Sequence, residues 1–264
     1  MSWSDSHAHL FDSAFDQDRA EVLVRARAAG VGRVVVVGCE PAAWDDVCAW
    51  AGGGPGQVAI VGIHPAQAGH TQGQDLVALR RRLAEPGVRA LGEVGLDYHW
   101  TPYSASAQRN LLDAQIAIAE ELRLPLVIHE RDAFADMMVA LAGVRVPVVL
   151  HCFSHGTVEA EDAIGRGYYL SFAGPVTFRK SDQLREAARI CPPDRILLET
   201  DSPYLSPHPL RASRNEPARV ALTGEAVATL RAVSAQHLMD LVATNLQRLL
   251  GDFPELPSDV VPPA

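Results

Sequence analysis

Eight short runs rich in valine, isoleucine and leucine, each followed by a longer amphipathic stretch, constrain this chain more than anything else in its sequence. Continuous apolar segments of this kind belong to parallel strands covered on both faces, and the stretches between them have the length of crossover helices. The strand cores are Ser4 to Ala8, Arg33 to Gly38, Val58 to Gly62, Ala90 to Glu93, Pro125 to His129, Pro147 to His151, Tyr169 to Phe172 and Ile196 to Thr200. The helices are read at 18–29, 41–50, 75–84, 105–122, 133–141, 158–165 and 184–190, then, after a long loop, at 217–233 and 235–250. Eight alternations in 264 residues fit a single (β/α)8 TIM barrel domain over residues 1–264 better than an open doubly wound sheet. Gly52 to Gly56 is read as a surface turn, and the proline-rich tail from Pro254 to Ala264 as irregular.

Polar residues interrupt these runs at their carboxyl ends. Ser6-His7-Ala8-His9 closes the first, Gly92-Glu93 the fourth, Ile128-His129 the fifth, Leu150-His151 the sixth and Glu199-Thr200-Asp201 the eighth. In a barrel those ends converge on the face where active sites are built, so residues far apart in sequence become neighbours. His7 and His9, two apart on an extended strand, point the same way. Four imidazoles and two carboxylates exceed what one open catalytic metal takes, so two divalent cations fit better, with Glu93 as the bridge. The mixture of histidine and carboxylate leaves Mg, Mn and Zn all admissible.

Composition removes other classes of function. Of 23 basic residues only Lys180 is lysine, which disfavours Schiff-base chemistry. The formal charge of −9 disfavours a broad surface that coats nucleic acid, though not a local phosphate site built from cations. Cys39, Cys48, Cys152 and Cys191 form no paired spacing, so they are read as reduced thiols. No apolar run reaches the ~20 residues of a membrane-spanning helix, and the opening residues have neither the basic nor the apolar segment of a secretory signal. A cytoplasmic protein without a membrane partner is expected, with its oligomeric state left open.

Seven ordered motifs make the chain resemble the TatD family of metal-dependent deoxyribonucleases, within the amidohydrolase-like barrels. They are Asp5-Ser6-His7-Ala8-His9-Leu10, Gly62-Ile63-His64-Pro65, Gly92-Glu93-Val94-Gly95-Leu96-Asp97-Tyr98, His129-Glu130-Arg131-Asp132-Ala133, His151-Cys152-Phe153-Ser154, Glu199-Thr200-Asp201-Ser202-Pro203-Tyr204-Leu205 and Asn215-Glu216-Pro217. The resemblance implies one cation among His7, His9, Glu93 and Asp201 and a second among Glu93, His129 and His151. It also implies that Asp201 acts as the base for a metal-activated water, and that the substrate is DNA, attacked by an exonuclease from single-stranded or frayed ends. The chain departs from the family pattern at His99, His155 and the stretch Arg211 to Arg214, none of which is an expected ligand.

Around this set, His64, Arg131 and Ser154 are candidates for substrate contact, Arg131 because a guanidinium matches phosphate geometry. His64 also reads as a hydrogen-bonded barrel histidine, and Arg131 as the partner of Asp97, Asp132 or Glu199. Glu199, two before Asp201, is expected to support a ligand from behind, and Asn215 to close a loop. Cys152 is expected to alternate outward into packing. Arg80-Arg81-Arg82 reads as a solvated helix face. The residue pattern by itself reaches only metal-assisted hydrolysis. An amide, lactone or phosphotriester hydrolase on the same cations, or a metal-stabilised barrel serving as an interaction module, are the alternatives.

Overall fold

A computed structural model describes residues 2–54, 56–100 and 102–257. Eight parallel strands lie in chain order: β1 (Trp3–Ala8), β2 (Val31–Gly38), β3 (Val58–Val61), β4 (Val88–Asp97), β5 (Leu126–Arg131), β6 (Val148–Leu150), β7 (Tyr169–Phe172) and β8 (Ile196–Leu198). The last meets the first just beyond its own end. Asp201 donates its N–H to His7 O at 3.0 Å, and His9 donates to Ser202 O at 2.8 Å. The expected barrel is the observed one.

Nine α-helices surround it among the described residues: α1 (Arg19–Ala28), α2 (Trp44–Ala51), α3 (Gly73–Arg82), α4 (Ala105–Leu122), α5 (Phe134–Ala140), α6 (Thr157–Gly165), α7 (Asp182–Ile190), α8 (Val220–Leu230) and α9 (Ala235–Leu250). Their starts follow ordinary capping chemistry. Ser104 and Ser234 accept the Ala107 and His237 N–H groups at 3.2 and 3.1 Å, which satisfies donors that the first helical turn leaves unpaired. Two expected helices open later than read, because Pro41–Ala43 and Pro217–Arg219 form single 3₁₀ turns ahead of α2 and α8. Arg80 and Arg82 form outer ion pairs, with Glu121 and with Asp45 and Glu85, as a solvated face should. Residues 254–257 are irregular, while 258–264 and Pro55 of the glycine-rich turn lie outside the described residues.

The strand ends differ from expectation in a way that matters for the mouth of the barrel. β6 stops at Leu150 and β8 at Leu198, so His151, Glu199, Thr200 and Asp201 stand just beyond their strands. β4 instead continues four residues past Glu93, to Asp97. Gly95 permits this continuation, since a Cβ there would meet His129 O at 1.8 Å.

Two buried glutamines seven residues apart on α4 fix the exits of neighbouring strands. Gln115 accepts from Ile63 N–H at 2.8 Å and donates to Ile63 O at 3.0 Å, just before His64. Gln108 does the same for Asp97, at 2.7 and 2.9 Å. Each amide replaces ladder partners that the strand ends lack. On the opposite side, the buried Asp5 carboxylate accepts from Thr200 N–H at 2.9 Å and from Thr200 Oγ1–H at 2.6 Å, tying β1 to the end of β8. Burial pushes the Asp5 carboxyl up to about 8 against these hydrogen bonds.

Replacing Gln115 with leucine keeps the volume but strands two buried backbone groups, each costing roughly 1–3 kcal/mol. Gln115→Leu is therefore expected to lower unfolding stability by about 2–4 kcal/mol, read by urea denaturation. A loss within about 0.5 kcal/mol would show that the clamp carries no stability.

Candidate metal centre

The side chains at the carboxyl ends converge around one residue. Glu93, almost wholly buried, turns its two carboxylate oxygens toward two different groups of ligand atoms. Glu93 Oε2 lies 3.3 Å from His7 Nε2 and 3.5 Å from His9 Nε2. Asp201 Oδ1 completes this group, 3.3 Å from His9 Nε2 and 3.9 Å from His7 Nε2. Glu93 Oε1 lies 2.7 Å from His129 Nδ1, 2.8 Å from His151 Nε2 and 3.7 Å from His64 Nε2. All six residues expected to ligate are thus brought together, and His64 joins them. Sets of these atoms lie close enough together to share an ion: His7, His9 and Asp201; His7, Glu93 and His151; and His64, Glu93 and His129.

The outward nitrogens of three of these imidazoles are held from behind. His129 Nε2 is 3.0 Å from Asp97 Oδ2, His151 Nδ1 is 3.2 Å from Glu199 Oε1, and His9 Nδ1 is 4.0 Å from Cys39 Sγ. For His129 and His151, a carboxylate accepting from the far nitrogen leaves the ring's remaining lone pair on the inward one, which is the arrangement a ligating histidine needs. Glu199 Oε1 also accepts the Cys152 N–H at 2.7 Å. His7 Nδ1 and Glu199 Oε2 are buried without a hydrogen-bond partner, and both residues line a small cavity beneath the cluster. This donor set fits divalent cations: borderline imidazoles and hard carboxylate oxygens facing one another, with outer partners already oriented.

Charge is balanced within the cluster. Burial opposes ionisation of Glu93, but the charge of His151 and hydrogen bonds from His129, His151 and His7 hold its carboxyl well below the usual range. Asp201 is likewise opposed by burial and held below its usual value by His9 and the neighbouring imidazoles. Burial also works against protonation of His9 and His151, yet the carboxylates around them keep both well above the ordinary histidine value. His7 goes the other way, lowered by burial and by the like charge of His151. Burial takes His64 down to about 4, which leaves it a neutral acceptor or ligand.

The second-rank residues separate. His64 accepts the Ala66 N–H at 3.1 Å through Nδ1 while its Nε2 faces Glu93. Arg131 is 44% exposed, with Nε 3.9 Å from Asp132 Oδ1; Asp97, another partner considered for it, is engaged with His129 instead. Ser154 stands exposed in the loop after β6. Asn215 closes the long loop after β8, donating to Thr200 O at 2.9 Å and Tyr204 O at 2.6 Å. His99 meets Asp132, and His155 meets Glu130, both outside the cluster.

Cys152 does not follow the strand alternation expected of it. β6 has already ended, and Cys152 takes φ 45°, so its direction is set by the turn. Burial and the charges of Asp201, Glu199 and Glu93 push its thiol up. Asp97 and Cys39 escaped the sequence reading as partners of ligands. For Asp97 a signal existed, since it stands four residues past Glu93 and shares its strand face. Cys39 offered none, because its approach to His9 depends on the pairing of β1 with β2.

The barrel and this cluster are those of a metal-dependent hydrolase family. The chain belongs to the TatD related DNase family, which it matches over residues 4–251. It is 36% identical over 248 residues to an uncharacterized metal-dependent hydrolase, YabD, of Bacillus subtilis (strain 168), covering 93% of this chain and 97% of that one. It is 37% identical over 221 residues to the 3'-5' ssDNA/RNA exonuclease TatD of Cronobacter turicensis, covering 81% and 84%. The crystal structure of YjjV, a TatD homologue from Escherichia coli K12, superposes with a TM-score of 0.87 at 26% identity, covering 97% and 98%.

The outer partners can be tested separately in the metal-free protein. Glu199→Gln removes a charge that holds the His151 imidazole up, so His151 should titrate at lower pH while His129 moves less. Asp97→Asn should do the reverse, lowering His129. Imidazole NMR titrations read both, and equal shifts in both variants would deny the separate pairings.

Proposed function

We propose that this protein hydrolyses phosphodiester bonds of DNA, as an exonuclease working from single-stranded or frayed ends, with two divalent cations that the residues around Glu93 would hold. The observation that carries the reading is the division of Glu93's two oxygens between His7, His9 and Asp201 on one side and His129, His151 and His64 on the other. His7, His9, Glu93 and Asp201 would hold one cation, and Glu93, His129 and His151 the other. When bound, Mg, Mn or Zn would ease deprotonation of the attacking water and offset charge on both the attacking and the leaving oxygens.

The chain's own groups supply the rest. Asp201, ionised across neutral pH, is the base that orients the water and takes its proton. His64, Arg131 and Ser154 contact the substrate, with the Arg131 guanidinium available to a phosphate oxygen. The chain as a whole is acidic, with a formal charge of −9, so DNA is engaged locally and with strong salt dependence. The Cronobacter relative's name as a 3'-5' ssDNA/RNA exonuclease supports single-stranded ends as the substrate. Among the described residues no helix is long and apolar enough to cross a membrane, and all four cysteines are free thiols, which accords with a reducing, cytoplasmic setting.

Turnover of end-labelled single-stranded DNA by metal-stripped protein, titrated back with Mg, Mn and Zn, tests the reading. Glu93→Ala is expected to abolish activity, and Asp201→Asn to lower kcat by roughly 10²- to 10⁴-fold. Activity that survives complete chelation would overturn it. Because the imidazoles of His9 and His151 sit above the ordinary histidine value, cation binding must displace their protons. Metal affinity should therefore strengthen as pH rises through and above neutrality, and calorimetry in two buffers of different ionisation enthalpy should register net proton release.

A further inference from the structure

The exposed aromatic side chains of this protein are not spread over its surface. Most exposed large aliphatic residues stand singly on the outer helices, among them Val24, Val77, Val139 and Val158, while Leu205 and Leu210 lie in the loop after β8. Among the described residues, the three exposed large aromatics, Tyr98, Trp100 and Tyr204, instead lie on the segments that follow β4 and β8, at the end of the barrel where Glu93 and Asp201 stand. Trp100 is the extreme case. Trp3, Trp44 and Trp50 are no more than 3% exposed, whereas Trp100 is 75% exposed and contributes no core packing.

Its mounting is tied to the cluster. Asp97 accepts the Trp100 N–H at 2.7 Å and the His99 N–H at 2.9 Å through Oδ1, while its Oδ2 meets His129 Nε2 at 3.0 Å. One buried carboxylate therefore fixes both a ligand imidazole and the backbone that carries the exposed indole. The His99 ring stands edge-on to that indole at 4.5 Å and is itself held by Asp132 at 2.9 Å. Tyr98 is anchored by its hydroxyl, which donates to Asp136 at 2.8 Å. Arg131, half-exposed, is paired with Asp97 across the β4–β5 ladder, so a guanidinium lies beside the same segment.

We propose that Trp100 is a base-stacking platform for single-stranded nucleic acid, receiving the unpaired base of the nucleotide beside the phosphodiester that the cluster holds, while Arg131 meets the adjoining phosphate. This rests on the nuclease reading above and names how that site selects its substrate. An aromatic face takes any unpaired base with little regard to sequence, because every base presents a π-face. A base inside a duplex is already stacked and paired, so the platform favours single strands and frayed ends. The indole's support by His99 and Asp97 means that little ordering accompanies binding.

The test uses the metal-loaded protein with oligothymidylate and with the same oligonucleotide carrying an abasic residue beside the scissile phosphate. Trp100→Ala should raise KM for oligothymidylate by about tenfold, within the range expected for one stacked base, with kcat changed less than about threefold. Trp100→Phe should recover most of that loss. On the abasic substrate wild type and Trp100→Ala should have the same KM, since the partner base is missing from both. Because the other three tryptophans are buried, quenching of wild-type fluorescence by a cleavage-resistant phosphorothioate oligothymidylate reads Trp100 directly. An unchanged KM in Trp100→Ala while cleavage proceeds, or an equal loss on both substrates, overturns the platform. A wild type that cleaves neither substrate overturns the nuclease reading itself, and absent quenching then removes the platform as well.

Discussion

A buried carboxylate among imidazoles is costly unless opposite charge meets it, and the site is organised around that requirement at Glu93. Five histidines, His7, His9, His64, His129 and His151, come from four different strands or strand ends to stand around Glu93 and Asp201. No local segment could assemble them. Parallel strands in unbroken order from β1 to β8 bring their carboxyl ends to one rim, and the two oxygens of Glu93 divide the histidines into two sets. This concentration of His, Glu and Asp atoms at one rim is what makes the site a candidate metal centre.

Behind the ligands lies a supporting ring whose members serve both backbone and side chain. Asp97 holds His129 and the segment through Trp100, and Glu199 holds His151 and the Cys152 amide. Gln108 and Gln115 reach in from α4 to satisfy the strand ends at Asp97 and Ile63. Asp5 joins β1 to Thr200, one residue before Asp201. Strand ends are where ladder hydrogen bonds run out, and buried polar groups there must find side-chain partners. The same partners hold the imidazoles of the cluster, so losing one disturbs the position of an imidazole as well as the stability of a strand end.

Much of this was legible from residue order, because its cause is local. Valine-rich runs such as Val34 to Val37 must be buried on both faces, and a polar residue ending such a run marks the carboxyl rim. Hence the eight strands, their order in a barrel and the gathering of His7, His9, Glu93, His129, His151 and Asp201 could be read directly. Strand limits were less legible. β4 runs on to Asp97 because Gly95 allows close approach to His129 O, while β6 and β8 end early, so the direction of Cys152 is set by a turn.

The sequence by itself determined which polar residues end the apolar runs and that a barrel brings them together, since hydrophobic period and the polar ends of apolar runs are properties of neighbouring residues. Only the tertiary structure decided which oxygen of Glu93 faces which histidines, that Cys39 backs His9, and that Asp97 links His129 to Trp100. Those relations depend on distances between segments that are remote in the chain, and such distances are fixed by strand register, turn geometry and packing rather than by spacing along the sequence.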